Sequence, residues 1–186
     1  MDRSAISRVA TRHRKPIPVA IQAQVLFRDR WLCHVCRRPL ILHLVLKYLA
    51  QRVEDHLPGV HLAYWDSRWR RDRSPLLDEL GASVDHVVAL ANEGPHSIDN
   101  FRAICGRCNA RKSAKEDKVF RSDSKPWKVT GKCGEPRTWE GLSSAFLALT
   151  EDSQGRLTAN ERRWYRAVQG HVRARPRSAR STAEFL

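Results

Sequence analysis

Asp85 and His86 are adjacent, Asn100 lies a short loop further on, and the run Cys105-x-x-Cys108-Asn109-x-x-Lys112 closes the set. A carboxylate, an amide oxygen and water together make a hard-oxygen donor set with open positions, which suits Mg²⁺ or Mn²⁺. An imidazole beside such an ion can take a proton from water near neutral pH. Asp85 and His86 each read alone as structural residues, the first as a partner for an arginine and the second as a satisfied strand histidine. It is their company, Asn100 and the Cys-Asn-x-x-Lys segment, that favours chemistry. As neighbours on a strand they must point to opposite faces. One can serve a metal and the other a proton if the hairpin is strongly twisted, or if they act on different sides of a bound phosphate. His96, in the same loop, reads first as a solvent-exposed histidine and second as a substrate contact.

Five cysteines are present: Cys33-x-x-Cys36, Cys105-x-x-Cys108 and a lone Cys133. In a reducing compartment, paired C-x-x-C motifs point to a zinc thiolate site, because two thiolates from one tight turn occupy adjacent corners of a tetrahedron. A redox pair and simple burial are the alternatives. Sixty-eight residues separate the two pairs, far more than in a compact zinc ribbon. Cys133 reads as incidental.

The elements that must position these residues follow from periodicity and breakers. A short helix is predicted over 19–28, leading into the first Cys pair. A second, over 41–57, carries apolar residues at helical spacing and stops at Pro58-Gly59. His43 and His56 on it read as packing or surface residues. The stretch from Tyr64 to Arg71 interleaves aromatic residues with arginines, which suits either base stacking or anchoring of this insertion on the core. Ser74-Pro75 reads as an N-cap with proline at the first helical position, and Gly81 as the stop. A strand is expected over 83–90, a loop holding Asn92, Gly94 and Pro95, a return strand over 101–104, the second Cys pair, and a helix over about 109–119. Trp139, Leu142, Phe146, Leu147 and Leu149 suggest one further helix over 138–149, and Thr158 with Glu161 has the spacing of a capping box opening another. No internal repeat is evident.

The chain has 186 residues, 34 Lys and Arg against 20 Asp and Glu, and a net charge of +14. Such an excess points to a polyanion, most often nucleic acid. The charge is not uniform. Residues 1–40 hold nine basic and two acidic residues and 121–186 hold thirteen and seven, whereas 41–120 are nearly balanced at twelve and eleven. No apolar run approaches the roughly 20 residues of a membrane span, and the first fifteen residues lack the apolar core of a secretory signal. A cytoplasmic protein with no membrane role is the expectation. A divalent ion, a base and a basic surface together describe phosphodiester hydrolysis.

The segment VDHVVAL at 84–90, the loop with Gly94, IDNF at 98–101 and CGRCNARKS at 105–113 resemble the HNH nuclease motif of the ββα-metal type, in its zinc-stabilised branch with two C-x-x-C pairs. The lead-in VLFRDRWLC at 25–33 is also similar to those proteins. The resemblance covers roughly residues 19–38 and 81–115. It implies an α+β fold: a ββα-metal HNH core with a four-Cys zinc site, a helical insertion and a C-terminal helical extension. The corresponding organisation is a basic flexible arm over 1–16, an HNH nuclease domain over 17–120 with the insertion at 41–80, a connector and helical pair over 121–170, and a basic disordered tail over 171–186.

The resemblance further implies a division of roles. His86 would be the general base that activates water for in-line attack. Asp85 and Asn109 would hold one divalent ion, Mg²⁺ or Mn²⁺, against the scissile phosphate. Asn100 would orient the loop and the imidazole of His86, and Cys33, Cys36, Cys105 and Cys108 would bind structural Zn²⁺. Lys112 would contact phosphate or support its helix, with Arg107, Arg111, Arg68 and Arg70 as further nucleic-acid contacts. Products in the family carry 5′-phosphate and 3′-hydroxyl ends. Two departures stand out: Asn109 replaces the third family histidine, a weaker ligand in its place, and Ala89 stands where many relatives have proline. The leading expectation is a DNA endonuclease nicking or cutting the duplex. The alternatives are a non-catalytic zinc-containing nucleic-acid-binding module and an RNA-directed nuclease. A homodimer or a protein partner would engage through the C-terminal region.

Overall fold

A computed structural model describes residues 16–60, 64–68, 70, 72–112 and 139–174. The basic arm, Cys133 and the segment 113–138 lie outside the described residues.

Helix α1, Val19–Arg28, buries Ala23, Val25 and Leu26 and ends where Arg30 and Trp31 turn left-handed, at φ 55° and 52°. That turn drives Trp31 wholly into the core. The first Cys pair follows in a tight hairpin closed by the Leu32–Pro39 bridge and by the Cys33 amide donating to Arg38 O at 2.9 Å. The chain then leaves the core through α2, His43–His56, and comes back through α3, Pro75–Leu80. Departure and return are stitched together, since Ile41 N donates to Leu80 O and Ala82 N donates to Ile41 O. The insertion is thus an excursion whose two ends meet at one point.

Strands β1, Ala82–His86, and β2, Phe101–Cys105, form an antiparallel pair in which Ala82 faces Cys105 and His86 faces Phe101. Helix α4, Gly106–Lys112, follows β2 without a break. This ββα order within a mixed helical frame is the α+β arrangement the motif implied.

Several expected boundaries shift, each for a local reason. The strand expected to run to Leu90 stops at His86, because the side chain of Asn100 takes over from the partner strand: its Oδ1 accepts from Val88 N at 2.9 Å. A 3₁₀ turn at Leu90–Asn92 fills the rest. The helix expected from Asn109 opens at Gly106, so the second Cys pair forms its first turn; the part expected beyond Lys112 falls outside the described residues. Ser74 does precede α3, but its hydroxyl donates back to Arg70 O at 3.1 Å instead of capping the helix. Gly81 has φ −62° and ends α3 by entering the sheet edge, not by a left-handed turn.

The C-terminal helices are α5, Ser143–Thr150, and α6, Ala159–Arg173. The capping box at Thr158 and Glu161 is formed in both directions. Helix α5 opens later than the apolar pattern suggested, because Gly141 and Leu142 turn left-handed first, at φ 65° and 59°. Gly141 is required there: a Cβ would lie 2.2 Å from the Trp31 ring. Trp139, ahead of that turn, donates from Nε1 to Leu40 O at 2.7 Å. Phe146, Trp164 and Val168 lie in the same buried cluster as Leu26, Trp31, Leu40 and Ile104. The helical pair therefore completes the core instead of extending from it. His171, placed by sequence at the start of a disordered tail, is helical and stacks on Phe27 with ring centroids 4.5 Å apart.

Candidate metal centre and active site

The two Cys pairs, far apart in sequence, come together. The sulfurs of Cys33, Cys36, Cys105 and Cys108 all lie within 4.8 Å of one another, and among the described residues this is the one group of three or more Cys, His, Asp or Glu ligand atoms so gathered. Four thiolates around Zn²⁺ at about 2.3 Å would sit about 3.8 Å apart, so the cluster fits that ion. Two backbone features hold it. His34 N donates to Ala103 O at 2.9 Å, fastening the first pair to β2, and Cys108 N donates to Cys105 Sγ at 3.4 Å, fastening the second pair on itself. Hydrogen bonds among the thiols, that from Cys105 foremost, push Cys33 down to about 7 and Cys36 lower still, while Cys105 is pushed up, first by its bond with Cys108. Part of the cluster is thus inclined to ionise, as a thiolate metal site requires.

Zinc so placed pins the end of β2 to α4, and α4 carries the next residues. Asn109 and Lys112 are three apart and share a helix face. Lys112 is completely buried; its Nζ donates to Asp85 Oδ2 at 2.8 Å and to the backbone oxygen of His86. A wholly buried ammonium is not placed to touch a phosphate in solution, so the structure assigns Lys112 to supporting the helix and leaves it no phosphate contact. Asp85 is itself buried, at 7% exposure. A carboxylate offers about four lone-pair sites on two oxygens; the lysine takes one on Oδ2, and the others suit a hard cation shared with the Asn109 amide.

Asp85 and His86 part to opposite sides of β1, as alternation demands. Asp85 faces α4 through Lys112, whereas the His86 ring packs edge-on against its cross-strand neighbour Phe101, centroids 4.8 Å apart and planes at 85°. Asn100 is buried and ties the loop together: its Nδ2 donates to Val88 O at 2.9 Å and to Pro95 O at 2.8 Å, while its Oδ1 accepts from Val88 N. Its amide thus grips the loop backbone, and the neighbour beside His86 Nε2 is His96 Nδ1, at 3.2 Å. Sequence reasoning gave His96 no such role; one loop histidine looks like any other until the loop is closed.

A second feature escaped notice in the lead-in. Arg28 donates to Ile98 O at 3.0 Å and to Phe101 O at 2.5 Å, and Asp29 Oδ2 accepts from Ala103 N at 2.8 Å. Adjacent residues at the end of α1 therefore complete the outer edge of β2, which would otherwise present unpaired backbone groups.

The arginines named for nucleic acid are dispersed. Arg107 is exposed and pairs with Glu79 at 2.9 Å, and Arg111 is exposed on α4. Arg68 is exposed, but Arg70 is bound to Asp66 at 2.8 Å, and its hydrogen bond holds that carboxyl down to about 2. Trp65 stacks on His43, centroids 6.1 Å apart, with Trp164 edge-on to the same histidine at 5.4 Å. This aromatic residue of the insertion thus anchors it on the core. Trp69 and Arg71 lie outside the described residues.

No helix among the described residues is long and apolar enough to cross a membrane. No curated protein and no solved structure matches the chain. A family model does match, over residues 74–115, a stretch running from the start of α3 through the hairpin, the second Cys pair and α4. That model is described as HNH endonuclease, so the ββα unit bearing Asp85, His86, Asn100 and Asn109 is an HNH endonuclease domain, its four clustered cysteines consistent with the zinc-stabilised branch.

Proposed function

We propose that the protein is a divalent-metal-dependent endonuclease that hydrolyses phosphodiester bonds of double-stranded DNA, with His86 as general base. The observation that carries this reading is the HNH domain match together with a His86 ring fixed in place by Phe101 and His96. A ring held against a cross-strand aromatic loses little freedom when it acts, and positioned proton transfer contributes about 10²–10⁴-fold to rate.

In the proposed reaction, His86 takes a proton from a water molecule as the water oxygen attacks phosphorus in line. Asp85 and Asn109 would hold the Mg²⁺ or Mn²⁺ ion, whose chemistry is to stabilise charge on the phosphate and on the departing 3′ oxygen. Asn100 keeps the loop closed so that His86 has a fixed neighbour, and Lys112 fixes the carboxylate of Asp85 relative to α4. The structural Zn²⁺ on Cys33, Cys36, Cys105 and Cys108 keeps β2, α4 and the first hairpin in register. The net charge of +14 favours a polyanionic substrate. A reducing cytoplasmic setting would suit the thiolate cluster.

One observation favours a second reading, a non-catalytic zinc-containing nucleic-acid-binding module: the Lys112 ammonium already neutralises Asp85. One assay separates the two. Supercoiled plasmid is incubated with the protein and Mg²⁺ or Mn²⁺; nicking that is abolished by chelator and by His86→Ala supports the nuclease. Tight binding with no cleavage under either ion favours the binding module. A matched RNA duplex tests for an RNA-directed enzyme.

A further inference from the structure

The loop between β1 and β2 is built to place one more side chain. Gly94 is buried beneath the chain at Val88, where a Cβ would lie 1.9 Å from Val88 O, so only glycine lets the loop fold back this closely. Next to it, Pro95 O accepts from Asn100 Nδ2 at 2.8 Å. The following residue is His96. Its ring lies edge-on to Phe101, centroids 5.1 Å apart at 77°, on the same aromatic platform that supports His86, and its Nδ1 is 3.2 Å from His86 Nε2. His96 is exposed while His86 is 4% exposed, so the pair runs from the interior to the surface.

We propose that His96 is a positioning residue for the general base: it accepts the Nε2–H of His86 and thereby makes Nδ1 the nitrogen that receives the proton. This rests on His86 being the base, as proposed above. A neutral imidazole has one N–H and one lone pair. An N···N contact at hydrogen-bonding distance between two neutral rings holds one proton, so one ring donates and the other accepts. Were His86 Nε2 the lone pair, it would face the N–H of His96 instead of water. With Nε2–H donated to His96 Nδ1, the His86 lone pair is on Nδ1, on the far side of the ring. When the water proton arrives at Nδ1, the water oxygen bonds to phosphorus and the 3′ oxygen leaves. The bond to His96 then becomes charge-assisted, and such bonds are roughly twice as strong as neutral ones. His96 thus favours the state with the proton transferred over the state before it, without touching substrate.

The test uses the full chain loaded with zinc. Plasmid nicking in saturating Mg²⁺ or Mn²⁺ is compared for wild type, His96→Leu and His96→Asn, whose amide oxygen can take the place of Nδ1 as acceptor. Loss of an orienting partner of a functional histidine typically costs about 10–100-fold. His96→Leu is expected to lose that factor in kcat with KM for DNA within about twofold, and His96→Asn to recover most of it. Equal kcat for His96→Leu and wild type, or equal losses in the two variants, would overturn the proposal. The second measurement does not depend on cleavage: ¹⁵N shifts of the His86 ring should show Nε2 protonated and Nδ1 bare in wild type, and a mixture in His96→Leu. A His86 ring protonated on Nδ1 would overturn it equally. Wild type that never cleaves, or His86→Ala that cleaves normally, would instead defeat the nuclease reading or the base assignment, while the ring tautomer still answers for His96.

Discussion

Lys112 Nζ sits 2.8 Å from Asp85 Oδ2, with the lysine at 0% exposure, across twenty-seven residues of sequence. Two opposite charges buried together are stable only as a pair, and removing one partner costs about 3–5 kcal/mol because the other is stranded. Lys112→Met and Asp85→Asn should each lose stability of that order in urea unfolding. The double variant should lose less than the sum, by roughly 1–3 kcal/mol of coupling. Additive losses would mean that the pair is not the unit the geometry makes it. The two single variants should differ in cleavage: Asp85→Asn abolishes it, whereas Lys112→Met retains the metal-binding carboxylate and a measurable rate per folded molecule.

The zinc cluster joins the first hairpin, β2 and α4 through four sulfurs, so metal binding here is folding energy. Elemental analysis should find one Zn²⁺ per chain. Stripping it with a strong chelator, or Cys108→Ser, should lower Tm sharply and abolish cleavage in a way that added Mg²⁺ does not restore. A weak chelator that removes Mg²⁺ alone should stop cleavage and leave Tm unchanged.

His43 is half-buried between Trp65 and Trp164, and burial pushes its pKa down to about 4. In the unfolded chain the imidazole takes its proton near 6.5, so between those values the unfolded state binds more protons and stability rises with pH. The contribution is fully present above about pH 6.5 and is lost as pH falls toward 4, by no more than about 3 kcal/mol since the ring keeps some solvent contact. Unfolding midpoints of wild type and His43→Leu measured from pH 7.5 to 4.5 should converge toward parallel curves only at the upper end. Parallel curves throughout would show that His43 does not titrate with folding.

Gly141 has φ 65° and faces the Trp31 ring where a Cβ would fall at 2.2 Å. Gly141→Ala should destabilise by about 1–3 kcal/mol from overpacking, with roughly 1–2 more for the left-handed backbone. The unfolding midpoint in urea checks this, and Gly155→Ala, with open space around its Cβ, serves as the control.

The hairpin and second Cys pair were legible because their signals are local. Val-rich residues before a Gly-Pro loop, a return strand and a Cys-x-x-Cys turn sit within thirty residues, and the capping box at Thr158 and Glu161 needs only a spacing of three. The helix starts at 143 and 106, the early end of β1 and the role of Ser74 were not legible. Each was decided by a partner elsewhere: Trp31 against Gly141, Asn100 at Val88, Arg70 O beneath Ser74. Lys112 shows the same limit at the site, since a lysine on a helix in a basic protein suggests phosphate until a buried carboxylate claims it.

Residue identity and spacing alone determined which groups are available: two thiol pairs, a carboxylate beside an imidazole, and amides at Asn100 and Asn109. Only the tertiary structure decided how they are shared. It gathered four sulfurs from opposite ends of the insertion, gave Asp85 to Lys112, and set His96 beside His86. The physical reason is that hydrogen bonds and ion pairs act over about 3 Å of space whatever the distance along the chain. Which neighbours come that close depends on the core as a whole, where Trp31, Leu40, Phe146 and Trp164 pack from segments that the sequence keeps far apart.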